Sequence, residues 1–177
     1  MEDYEGFHGT AQSFAVVILE KGFIVSSTGR RGRGVYLWKQ SPYAKDLAVA
    51  YYKSSLARGS YSSLANKDCA VLKSKLTISP EEKIDLDSDE LKDAIIRLAT
   101  QNDYDLTDED KISRLYDFFV EQLEQTWACK YKIALASVDV PRQKFLGYKF
   151  PTSAIGQPRC IVVRDVECIT DCVAVEV

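Results

Sequence analysis

Histidine and methionine are each represented once in this chain of 177 residues, and tryptophan only twice. With His8 as the lone imidazole, any Ser-His-Asp arrangement has one residue to draw on, and no GxSxG elbow accompanies it. Neither GxxxxGK[ST] nor a strand-ending GxGxxG occurs; Gly32-Arg33-Gly34 is a fragment too short to mark a phosphate loop. No apolar run is long enough to cross a bilayer. Positive charge is not in excess: 23 basic against 26 acidic side chains leave a net charge of −3, which argues against a generally basic nucleic-acid surface. The Met1-Glu2-Asp3 start lacks the positive region of a secretory signal. Five cysteines (69, 129, 160, 168, 172) form no CxxC pair, and their odd number points to reduced thiols in a cytosolic protein. A zinc site on Cys160, Cys168 and Cys172 is disfavoured because one histidine is all that accompanies them.

What remains is ordinary globular material, 46% hydrophobic and 28% charged, in an amount that suits one domain with a single core. A strand over 3–8 is expected to deliver His8 to its C-terminal end. Thr10 then caps a helix over 11–20, with Phe14, Ala15, Ile18 and Leu19 on its inner face and Gly22 as its stop. Phe23-Ile24-Val25 reads as a brief strand and Ser26–Gly34 as a polar loop carrying Arg30, Arg31 and Arg33. Val35–Trp38 reads as a strand. Ser41 and Pro42 open a helix to about Ser55, with Ala44, Leu47, Ala48 and Tyr51 inward. Further strands are predicted over 70–78, 84–86, 131–140, 144–148, 160–164 and 173–177. Two acid-capped helices between 88 and 126, opened by Ser88 and Thr107, form an insertion. The class expected is α+β with a largely antiparallel sheet.

The order of parts from His8 to Leu37 is His-Gly-Thr, an apolar helix ending in Gly-Phe, an Arg/Gly loop, and Gly-x-Gly-Val-Tyr-Leu. This resembles the core of the poly(ADP-ribose) polymerase-like, or diphtheria-toxin-like, ADP-ribosyltransferases over about 45 residues, through Ala48. The resemblance implies a core of two packed, mostly antiparallel sheets, with NAD as co-substrate. It implies His8 on a ribose hydroxyl, Gly9 offering backbone groups to the nicotinamide amide, and Thr10 toward the adenosine side. Tyr36 would stack on the nicotinamide ring, and Arg30, Arg31 and Arg33 of the donor loop would meet the pyrophosphate.

The chain departs from the family in two places. A serine and an aromatic expected on the helix after Tyr36 fall on Ala44 and Leu47, with Tyr43 as the neighbouring substitute. Cys160 takes the late-strand position where many members carry the catalytic glutamate, with Gln157 approaching from the preceding loop. Loss of that carboxylate disfavours polymer synthesis and leaves mono-ADP-ribosyl transfer. By resemblance the protein is expected to be a cytoplasmic toxin, effector or defence enzyme, bacterial or phage, acting in its own cell or in a host cytosol. It would modify a protein or nucleic acid and be held by a cognate antitoxin or inhibitor, with no membrane partner. The alternatives are an NAD- or ADP-ribose-binding pseudoenzyme, motivated by Cys160, and a structural or inhibitory partner that keeps the motif as a residue of descent.

Overall fold

Strand β1, Glu2–Ala11, pairs antiparallel with β3, Cys69–Ile78, along all ten residues. It therefore runs three residues past His8, and the imidazole belongs to the strand interior. This is a computed structural model describing residues 1–177. Helix α1 is Gln12–Lys21, β2 Val35–Lys39, and α2 Ala44–Ala57. After β3 come β4, Lys83–Asp85, α3, Asp89–Gln101, and α4, Glu109–Trp127. The chain ends with β5, Ile133–Ser137, the one-turn helices α5, Gln143–Leu146, and α6, Thr152–Ile155, then β6, Arg159–Val163, and β7, Ile169–Val175.

The class is α+β. The strands hydrogen-bond in the order β4-β5-β6-β2-β1-β3-β7. Only β4 and β5 run parallel, and the α3–α4 insertion supplies the long crossover that parallel neighbours need. Two sheets were expected; the strands connect as one, but the joint is narrow. β1 and β2 register only through Gly6↔Lys39 and Phe7↔Trp38. On one side of that joint stand four strands and on the other three. Apolar side chains from both wings, Leu72, Leu76 and Ile78 with Ile133, Leu135 and Ile161, nevertheless belong to one buried cluster around Leu37.

A second cluster gathers Ile95, Leu115, Phe119 and Val120 of α3 and α4 against Ala134 and Val162. A third packs Ala44, Leu47 and Ala48 of α2 against Phe7, Trp38 and Cys160. No helix is long and apolar enough to cross a membrane.

Several local expectations are corrected. Thr10 is buried in β1 and caps nothing; the N-cap position of α1 is Ala11, which makes no side-chain cap. Gly22 does end α1, at φ 84° with its N–H on the Ile18 carbonyl. Of the inner face proposed for α1 only Ala15 is buried, and Phe14 and Leu19 are exposed. Residues 23–25 pair with no strand: Phe23 folds inward while Ile24 is 87% exposed. Helix α2 turns Tyr52 inward, four residues after Ala48, and leaves Tyr51 exposed. Asp108, not Thr107, caps α4 by accepting from the Asp110 and Lys111 amides, because Thr107 turns back to Asp105. Segment 144–148 is no strand, since Gly147 at φ 86° closes the single turn of α5. Ser88 caps α3 as expected, accepting from Leu91 N–H at 3.4 Å.

Candidate functional site

The Glu5 carbonyl accepts a hydrogen bond from Gln40 N–H at 2.8 Å. Backbone groups of an antiparallel strand alternate in direction, so Glu5, Phe7 and Gly9 all aim their N–H and C=O at β2. The register that pairs Phe7 with Trp38 would next pair Gly9 with Tyr36, yet the ladder stops one rung short. No turn, loop or cap hydrogen bond takes the Gly9 groups either. Gly9, a buried residue, thus lies just past the last registered pair, in a fork where the two strands cease to pair.

His8 explains what happens to the missing rung. Its Nδ1 lies 3.1 Å from the Tyr36 carbonyl oxygen. A carbonyl can only accept, so Nδ1 carries the proton and Nε2 of the neutral ring is left as an acceptor. Burial pushes the His8 pKa below its ordinary value, and the bond to Tyr36 opposes this only in part. The ring packs edge-on against Phe23, with centroids 5.4 Å apart.

Gly9 has a second constraint. A Cβ there would lie 1.9 Å from the Ala48 carbonyl oxygen, so the bare backbone is what lets α2 lie directly on β1.

The Tyr36 ring does not share a pocket with the imidazole. His8 pairs across strands with Leu72 of the first cluster, while Tyr36 pairs with Val162 of the second. The two residues meet through the Tyr36 backbone, and the phenol turns toward the Ser26–Gly34 loop. Its hydroxyl donates to the Gly32 carbonyl at 2.7 Å and accepts from Arg31 N–H at 2.8 Å. Gly29 lies against the hydroxyl end of the ring: a Cβ there would stand 2.5 Å from Tyr36 Cε2 and Oη. Desolvation in this setting drives the phenol pKa upward.

The loop arginines are also engaged within the chain. Arg30 forms ion pairs with Glu109 at 2.8 Å and Asp139 at 2.9 Å. Arg31 lies 5.1 Å from the Tyr116 ring centroid. Arg33 pairs with Glu121 at 3.5 Å, and its backbone N–H donates to both Asp117 oxygens. All three guanidiniums thus have partners within the chain, with Arg30 and Arg33 still about half exposed.

Cys160 and Ala44, expected at the cleft, are inside the third apolar cluster, 2% and 0% exposed. Burial pushes the Cys160 thiol pKa up, so it offers neither the charge of a glutamate nor a ready thiolate. Tyr43 packs edge-on against Phe150 at 5.2 Å and lines a groove of about 270 Å³ with Gln157 and Arg159, whose walls include neither His8 nor Tyr36. Gln157 reaches the loop indirectly, its Nε2 lying 3.5 Å from Asp139, the partner of Arg30.

Sequence reasoning missed the α4 residues that hold the loop. Glu109, Ser113, Asp117 and Glu121 recur every four residues, the spacing of one helix face. That regularity is visible in the sequence, but only the fold shows that the face meets the arginines. Compared with protein-family models and with curated proteins, the sequence matches none of them.

Proposed function

We propose that the chain is an NAD-dependent mono-ADP-ribosyltransferase whose nicotinamide end binds at the fork between β1 and β2. The observation that carries this reading is the unmade rung. A primary carboxamide has one donor and one acceptor edge to edge, the complement of the paired N–H and C=O of Gly9. Nε2 of His8, an acceptor held by the Nδ1 bond, suits a ribose hydroxyl beside that amide. The narrow joint between the two sheet wings, with one apolar cluster spanning both, fits a two-sheet transferase core. The reaction breaks the nicotinamide glycosidic bond and joins ADP-ribose to an acceptor nucleophile, releasing nicotinamide and the acceptor's proton.

Such an enzyme would act in a cytoplasm, its own or a host's, on a macromolecule, under an inhibitor or antitoxin. The test is mass spectrometry of cell extract incubated with NAD and the protein. Added ADP-ribose on protein or nucleic acid is expected with wild type and not with His8→Ala. Equal labelling by the two overturns the reading.

A second reading rests on the burial of Cys160 in an apolar cluster, with no carboxylate at that strand position. On it the chain binds NAD or ADP-ribose without turning it over. Calorimetric binding of NAD with no nicotinamide released over hours would favour it.

A further inference from the structure

The Ser26–Gly34 loop carries three arginines over Tyr36, and each finds its partner on or beside α4. Gly29 N–H donates to Ser113 Oγ at 3.0 Å, and Arg33 N–H donates to Asp117 at 2.9 and 3.1 Å. Asp117 is itself fixed from below by the Arg164 guanidinium at 3.0 Å, a side chain only 5% exposed. The outer pairs, Arg30–Glu109 and Arg33–Glu121, are about half exposed. The arrangement is therefore a rigid keeper at Asp117 flanked by three weak, solvent-screened ties, the third being Arg30 to Asp139 at 2.9 Å. Its cationic side is suited to a diphosphate, and two of its three guanidiniums, Arg30 and Arg33, are paired with the chain's own carboxylates while Arg31 lies over the Tyr116 ring.

We propose that the loop and the Glu109/Ser113/Asp117/Glu121 face of α4 form a self-inhibitory latch. It closes over the Tyr36 ring, and a dinucleotide diphosphate opens it by competing for Arg30 and Arg33. The identity of the ligand rests on the reading above; the latch itself rests on the contacts alone.

The test uses the full chain and the surface variant E109Q/E121Q. Trypsin cleavage after Arg30, Arg31 and Arg33, followed by mass spectrometry, reports the open fraction of the loop. Wild type is expected to be cut far more slowly than a free peptide covering 22–40, and faster as salt rises. The variant should be cut about 2- to 30-fold faster at low salt, the span two exposed ion pairs cover. Equal cleavage of the two proteins, indifferent to salt, overturns the latch.

Calorimetry with NAD separates the second part. Removing the Glu109 and Glu121 ties, with Arg30–Asp139 left in place, should tighten NAD binding by a similar factor, because less of the protein is held in the closed state. A loosened loop with unchanged NAD affinity overturns the competition. A loosened loop with no NAD binding by either protein overturns the dinucleotide reading and leaves the latch standing.

Discussion

Gly29→Ala probes the roof over Tyr36 with a single methyl. The added Cβ would stand 2.5 Å from both Cε2 and Oη of Tyr36, where carbon atoms settle at about 3.5–4.0 Å. The loop must therefore back away by about 1 Å or more. Gly29 has no positive φ, so the alanine adds no backbone strain and the effect is local contact alone. The Tyr36 hydroxyl bonds to Gly32 and Arg31, now 2.7 and 2.8 Å, would be stretched beyond useful length. At about 0.5–1.5 kcal/mol each, their loss amounts to about 1–3 kcal/mol. That corresponds to about a 5- to 150-fold rise in the open fraction. Amide hydrogen exchange at Arg31 N–H reads this directly, and its protection should fall by that factor while β1 and β3 amides keep theirs. Unchanged protection at Arg31, or loss spread evenly over the chain, would refute the picture of a loop resting on the ring.

Gly9→Ala forces a Cβ to within 1.9 Å of the Ala48 carbonyl oxygen; α2 must shift, and the urea midpoint should fall by the equivalent of about 1–3 kcal/mol or more. An unchanged midpoint would mean that α2 does not lie on β1 as described. His8, the only histidine, gives one ring signal in NMR, and its titration midpoint should lie below the ordinary value of 6.5 because burial disfavours the charged ring. The unfolded chain then binds the extra proton first, so His8 contributes stability above pH about 6.5 that is lost as pH falls toward the folded pKa; a midpoint at or above 6.5 contradicts this. Cys160, buried and with its thiol pKa raised, should resist a thiol reagent in the native protein while the partly exposed Cys69, Cys129 and Cys172 react. Labelling of Cys160 at the rate of those three would place it at an open cleft after all.

The helices and strands with strong periodicity were legible from composition and spacing: β2, β3, α3 and β6 form where apolar rows and the Ser88 cap place them, while α2 starts later than Ser41 and Pro42 suggest, at Ala44, with Tyr43 at its N-cap position and no side-chain cap. Phase was harder to read. Tyr51 and Tyr52 are adjacent and chemically equal, and only the contact of α2 with β1 decides which is buried. The strand expected at 144–148 failed because the positive φ of Gly147 closes a helical turn there, a tertiary choice that local pattern does not carry. At the site, His8, Gly9 and Tyr36 were legible as a motif, and the fold does join them, though through the Tyr36 carbonyl in place of two facing side chains. Arg30, Arg31 and Arg33 were legible as cations, but their partners are about 80–110 residues away on α4 and at Asp139. Cys160 was placed correctly on its strand. Its burial depends on Trp38 and Phe7 covering that face, which no spacing in the sequence reveals.

We propose above that the β1–β2 fork, furnished by Gly9 and His8, receives the amide and ribose of NAD. Protein labelled with nitrogen-15 at its one histidine and nine glycines, titrated with NAD, tests this with the fewest intermediate steps. The account predicts that His8 Nε2 and the Gly9 amide shift together and saturate at one common concentration. Millimolar NAD that leaves both signals in place would contradict it.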